Sequence, residues 1–158
     1  MVTVYRIGAD TPEYTADDRT GAGAQQSGGR WNRRGTPILY TSSSRALACL
    51  ETLAHLAPNG SFPFNRYLVE YQIPRVAWAA RERVESAAQV GWDALPPGIV
   101  SLDWGTAWLT AMRSMVAEVP SVVVPEETNV LLNPGHSDFN GVTVQKMRPW
   151  RYDHRVRP

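Results

Sequence analysis

The amino-acid sequence predicts an α+β fold: a mixed, mainly antiparallel sheet with flanking helices. Three observations predict it. Short runs with the alternating or continuous apolar pattern of strands occur in both halves of the chain. Between them, two windows switch to the three- and four-residue period of an amphipathic helix. The connections among the last strands are shorter than the roughly one dozen residues that a parallel crossover needs. At 158 residues the chain fits a single domain spanning residues 1–158, with one core and no linker. Neither an internal repeat nor a low-complexity tract interrupts it.

The first strand is expected in "VTVYRI", from Val2, Val4 and Tyr5. "GADTPEYTADDRTGAGAQQSGG" follows as a polar, glycine-bearing connection without apolar periodicity, a kind of loop that compact domains rarely keep without a use. "TPILYT" is an apolar run led by Pro37, which suits a strand starting at its edge. Over 44–57, Ala46, Leu47, Leu50, Leu53, Ala54 and Ala57 recur at helical spacing, with one of Ser42 to Ser44 as N-cap. "NRYLVEYQIP" alternates Tyr67, Val69, Tyr71 and Ile73 against Leu68, Glu70 and Gln72, a half-exposed strand closed by Pro74.

The stretch 75–98 is ambiguous, with a short strand near "VAWAA" and irregular chain up to the "LPPG" turn. "GTAWLTAMRSMVA" places Ala107, Trp108, Ala111, Met112 and Met115 on one helical face behind Asp103 or Thr106, and reads as core. Three strands are then expected, in "SVVVP", "NVLLN" and "GVTVQKM", separated by Pro125, Pro134 and two glycines.

A formal net charge of +1 lacks the footprint of a dedicated nucleic-acid binder. The tail is a local exception: Lys146, Arg148, Arg151, Arg155 and Arg157 stand against Asp153, with Trp150 and Tyr152 between them. It reads as a solvated face, or as a contact for an acidic partner or nucleic acid. One cysteine, Cys49, forms no internal disulfide and suits a small core residue. No signal-peptide pattern opens the chain and no stretch reaches the ~20 apolar residues of a membrane span. A cytoplasmic, soluble protein without a membrane partner is expected.

Six positions carry candidate chemistry. Glu51 falls at the margin of the 44–57 stripe, whose centre is expected near Leu50 and Ala54; it is either a partly desolvated carboxylate or a surface partner of His55 at i+4. Arg30 follows Gly28 and Gly29, which allow close backbone approach to a ligand and leave the guanidinium free to offer a planar fork to phosphate oxygens. Tyr40 at a strand end, Ser121 after Pro120 and His136 in "NPGHSDFN" each have an ordinary structural role as the alternative. Trp31 is a stacking platform or an apolar lid. Three scattered histidines and one cysteine offer no metal-site spacing, so no metal is expected.

Taken in order, these residues resemble the RES-domain family of bacterial toxins, named for an arginine, a glutamate and a serine. "SGGRWNRRGTPILYTSSSRALACLETLAHL" and "VPSVVVPEETNVLLNPGHSDF" carry the resemblance, and the opening "VYRI" fits it. It implies that Arg30, Glu51 and Ser121 are the three eponymous residues, with Tyr40 the associated pocket tyrosine and Arg6 and Asn133 second-rank pocket candidates. The family resembles ADP-ribosyltransferases in fold, consumes NAD⁺ as substrate and is encoded beside an antitoxin that occludes the active site. Tyr40 and Glu51 enclose ten residues, the separation of the paired tyrosines in diphtheria-type transferases, but with glutamate at the second position.

The resemblance implies a type II toxin that cleaves NAD⁺ at the nicotinamide–ribose bond with water or phosphate and arrests growth. Transfer of ADP-ribose to a cellular protein is the enzymatic alternative. An RNA-binding or RNA-cleaving toxin using the basic tail is an alternative of another class, against the expectation of no direct nucleic-acid contact. In the favoured reading Glu51 stabilises positive charge developing on the ribose, with holding a ribose hydroxyl or activating the acceptor as its other roles, Tyr40 stacks on nicotinamide, Arg30 anchors the pyrophosphate or adjacent ribose, and Ser121 bonds the nicotinamide ribose.

Overall fold

Strand β1 (Val2–Ala9), built from the alternating opening of the chain, lies inside the sheet and pairs over its whole length with β3 (Arg66–Ile73). The computed structural model describes residues 1–156; Arg157, the last basic residue of the tail, lies outside the described residues. On its other side β1 meets β2 (Leu39–Ser42). With β4 (Glu82–Arg83), β5 (Val116–Pro120), β6 (Thr128–Leu132) and β7 (Thr143–Pro149), the described residues form one seven-stranded sheet in the order β4-β5-β6-β2-β1-β3-β7. Every pairing is antiparallel except that of β4 with β5. The expected α+β class and mainly antiparallel sheet are both present.

Register decides which side chains share a face, because alternate residues point to opposite sides. The pairs Val4↔Tyr71, Arg6↔Val69 and Leu39↔Leu132 belong to one face, whose core also holds Val116, Val130 and Phe139. The pairs Tyr5↔Ser42, Ser42↔Asn129, Tyr40↔Leu131 and Ala117↔Leu131 belong to the other. That second face is covered by α2 (Arg45–Ala54) and by a tryptophan-rich cluster of Trp31, Trp92 and Trp108.

Four expectations shift. "VAWAA" lies in a short helix, α3 (Arg75–Ala79), rather than a strand; Pro74 stands just ahead of it, where a missing N–H costs nothing. The polar connection after β1 contains another short helix, α1 (Ala22–Ser27). Helix α4 (Ile99–Ala111) starts before Asp103 and stops at Met112, whose φ of 53° turns the chain away. Its buried stripe is Ser101, Gly105, Trp108 and Leu109, and Met115 belongs to the opposite core. The apolar start of α4 hides its period, because residues such as Ile99, 67% exposed, are hydrophobic on the solvent side too.

The fourth shift concerns "SVVVP". The strand occupies Val116–Pro120 and the expected segment is an irregular turn, because pairing with β6 captures the residues before Ser121. The tail is docked, not free: Lys146 bonds both Asp10 carboxylate oxygens at 2.9 and 3.0 Å, and the Tyr152 hydroxyl donates to Thr52 Oγ1 on α2 at 2.8 Å. Among the described residues, no helix is long and apolar enough to cross a membrane.

Candidate functional site

Helix α2 delivers the carboxylate. Ser44 is its N-cap, its hydroxyl accepting from the Leu47 N–H at 3.1 Å, which selects one of the three expected serines. The inward side of α2 is formed by buried Leu47 and Ala48 with half-buried Glu51 and Thr52, while Leu50 is 41% exposed and Ala54 is exposed. Glu51 therefore belongs to the buried stripe itself, not to its margin. The ion pair with His55 is absent; the His55 ring bonds the Glu51 backbone carbonyl at 2.7 Å instead.

One oxygen of Glu51, Oε1, receives two hydrogen bonds, from Ser121 Oγ at 2.7 Å and from Asn129 Nδ2. Ser121 is fully buried, and its hydroxyl oxygen accepts the N–H groups of Val123 and Val124 at 3.1 and 3.0 Å. With its lone pairs so occupied, its proton goes to Glu51. This explains why the turn after β5 matters: a continued strand would carry those N–H groups away.

Arg30 stands beside this carboxylate electrostatically. Its Nη1 donates to the carbonyls of Trp92 and Ala94 at 2.9 and 2.8 Å; among the described residues its Nε and Nη2 make no hydrogen bond. Partial burial lowers its pKa, and the charges of Glu51, Asp93 and Tyr40 oppose that shift. Arginine stays cationic all the same, so Arg30 feels the attraction of the Glu51 charge without an ion pair between the two side chains.

Tyr40 ends in a polar knot. Its hydroxyl accepts from the Trp31 N–H at 2.9 Å and donates to Asn32 Oδ1 at 2.7 Å, and burial raises its pKa so that the phenol stays neutral. A Cβ on Gly29 would come within 2.6 Å of that hydroxyl, so this glycine makes room for Tyr40 as well as for its own turn. Replacing Tyr40 by Phe leaves the Trp31 N–H and the buried Asn32 amide oxygen short of a partner. The expected cost is about 1–3 kcal/mol, read as a lowered denaturation midpoint; an unchanged midpoint would show that the knot adds nothing.

Other expected residues lie elsewhere. Arg6 points to the opposite face of the sheet, where it interacts with Tyr71. Asn133 is buried at the far end of β6 from Asn129; its amide donates to the Leu109 carbonyl and so closes the C-terminus of α4. His136 caps a 3-10 turn by accepting from the Asp138 N–H at 3.1 Å. Trp31 is 3% exposed, stacked on Trp92 with centroids 6.2 Å apart, which makes it core and not a platform. Cys49 is half-buried and burial pushes its thiol pKa up. Asn129 is not singled out in the sequence, and Ser42 only as a possible N-cap. The available signal was a polar residue on an inward-facing strand position, legible only with the register known.

Two surface hollows, of about 320 and 380 Å³, are lined by residues around Ala77 and Asp138 and around Ser86 and Thr128; neither is lined by Arg30, Tyr40, Glu51 or Ser121. Among the described residues no group of three or more His, Cys, Asp or Glu could hold a metal ion.

Residues 3–155 match the RES domain. The chain is 50% identical over 153 residues to the "Prs ADP-ribosylating toxin" of Sphingobium sp. (strain YBL2), covering 96% of this chain and 94% of that protein. It is 35% identical over 127 residues to a "Toxin Res" of Yersinia enterocolitica, covering 80% of this chain and 81% of the other. A "Toxin Res" of Pseudomonas putida is 32% identical over 129 residues, 81% of this chain and 86% of its own length.

Proposed function

Because this chain belongs to the RES domain toxin family, we propose that it acts on NAD⁺ and breaks the bond between nicotinamide and ribose. The observation that carries this reading is the Glu51 carboxylate, held through one oxygen by Ser121 and Asn129, with the Arg30 cation near enough to feel its charge. Departure of nicotinamide leaves positive charge on the ribose, and a carboxylate fixed before reaction stabilises it without reorganising. A cation with unspent donors, a carboxylate with a spare oxygen and a neutral aromatic ring are the groups that an anionic, ribose-bearing substrate calls for.

Arg30 anchors the pyrophosphate or the adjacent ribose through its uncommitted nitrogens. Tyr40 offers ring surface to the nicotinamide. Ser121 commits its proton to Glu51, so we assign it to holding the carboxylate instead of the ribose hydroxyl. Arg30→Ala is expected to raise KM for NAD⁺ roughly ten- to a hundredfold, the worth of one charged hydrogen bond, with a smaller change in kcat. Unchanged saturation kinetics would remove the anchoring role.

The acceptor has two readings. Water or phosphate leaves free ADP-ribose or its phosphate and depletes NAD⁺. Transfer to a protein is favoured by the Sphingobium relative, which is named for ADP-ribosylating Prs and shares half of its residues with this chain. Incubation with adenylate-labelled NAD⁺, with and without phosphate and with cell extract, separates them: label on a macromolecule marks transfer, and free products identified by mass mark hydrolysis or phosphorolysis. Absence of any NAD⁺ loss would overturn the whole assignment. A cognate antitoxin that occludes the site belongs to this reading, as does toxicity when the chain is expressed without it.

The RNA-directed alternative rests on the tail, where Lys146 is spent on Asp10 and Arg155 on Asp153 at 2.7 Å. Because β7 runs to Pro149, truncation at residue 146 would remove half of an internal pairing with β3. Reversing the charges of Arg148 and Arg151 is the cleaner test. Salt-sensitive RNA binding lost on that change would revive the alternative.

A further inference from the structure

We propose that Asn129, anchored by Ser42, is a positioning residue that divides the labour of the two Glu51 oxygens, committing Oε1 and leaving Oε2 to meet the ribose. The inference rests on the NAD⁺ reading for its chemistry and on the hydrogen-bond geometry for its placement. Asn129 sits on β6 directly opposite Ser42 of β2, so both side chains rise from the same face beneath α2. The Ser42 hydroxyl, 3% exposed as a residue, donates to Asn129 Oδ1 at 2.7 Å. The carboxylate orients the amide: Glu51 Oε1 can only accept, so the Nδ2 end faces it, and Oδ1 then takes the Ser42 proton, which anchors the far end of the side chain. A flipped amide would set a carbonyl oxygen against a carboxylate oxygen and lose that hydrogen bond, whereas the Ser42 hydroxyl, which can donate or accept, keeps a bond to the amide either way.

Ser121 approaches the same Oε1 from the turn after β5, so two donors, one from a turn and one from strand β6, converge on one oxygen. Oε2 makes no hydrogen bond among the described residues. A carboxylate held at one oxygen by two fixed donors cannot rotate to exchange its ends without breaking both bonds. The free oxygen is thereby held in one place, which is the condition for a stabilising charge to act without first being ordered.

Asn129→Ala in the full chain is expected to lower kcat for NAD⁺ loss roughly ten- to a hundredfold, the scale of a small misplacement of a catalytic group, with KM nearly unchanged. Ser42→Ala, which keeps the amide but removes the bond that anchors its Oδ1 end, gives a smaller loss in the same direction. In a Glu51→Gln background neither change lowers the residual rate further. A role confined to folding would lower the rate equally in both backgrounds, and that result would overturn the inference, as would full kcat in Asn129→Ala.

A second measurement is independent of turnover. In the NMR spectrum, the asparagine side-chain amide that vanishes in Asn129→Ala should move in Glu51→Gln and stay still in Glu126→Gln, a change at an exposed carboxylate nearby in the chain. If it moves equally in both, Asn129 does not report on Glu51 and the inference fails even where NAD⁺ is consumed. If it behaves as expected in a chain that consumes no NAD⁺, the placement stands and the reaction is what fails.

Discussion

Glu51→Gln is expected to fold as the parent does and to lose NAD⁺-consuming activity by on the order of a hundredfold or more, the scale of removing a preorganised charge from a transition state. Glutamine keeps the volume and the acceptor oxygen, so Ser121 and Asn129 retain one partner at the position of Oε1. What disappears is the negative charge. The change also leaves the Arg30 cation facing a neutral amide in a half-buried setting, so a modest weakening of substrate capture through Arg30 accompanies the loss in rate. The measurement is steady-state NAD⁺ consumption beside a thermal melt. A variant with wild-type turnover would take Glu51 out of the chemistry, and a collapsed melt would make its role one of folding.

Gly105→Ala is the second large effect, and it acts on stability. In the interior of a helix, alanine normally gains about 1 kcal/mol over glycine. Here a Cβ at residue 105 would come within 2.8 Å of the Trp31 carbonyl carbon and closer still to its oxygen, all backbone atoms that cannot swing aside. Helix α4 packs directly on the segment that carries Arg30, and Gly105 is the small residue that lets it do so. The substitution forces the helix off this segment. The expected net loss is near the top of the roughly 1–3 kcal/mol that overpacking costs, a fall in Tm of about 6–12 °C for a domain of this size. Because the displaced segment positions Arg30, KM for NAD⁺ should rise in the folded fraction. A Tm equal to or above the parent's would show that the close approach of α4 to Trp31 is absent.

Much of the fold is legible from local patterns. β1, β3, β6 and β7 follow from alternation and apolar runs, and α2 from its period and its serine cap. The elements misread share a cause. "VAWAA" and "SVVVP" carry residues that suit a strand, yet the first follows a proline that opens a helix and the second lies one turn beyond a strand already paired to β6. The start of α4 is apolar on both sides, so no period marks it.

For the site, the sequence determined the chemical inventory: which residue types are present, their spacing, and through a family resemblance the set Arg30, Tyr40, Glu51 and Ser121. Tertiary structure alone decided which of them meet. The hydrogen bonds that hold Glu51 join residues 70 and 78 positions apart in the chain, and the face a strand residue takes is set by register with its neighbour. A shift of one residue would exchange Asn129 for Thr128 or Val130 beneath α2, and Arg6 falls on the opposite face from the other candidates for the same reason. Local propensity acts over a few residues, whereas convergence at one carboxylate oxygen depends on how two strands, a helix and a turn pack together.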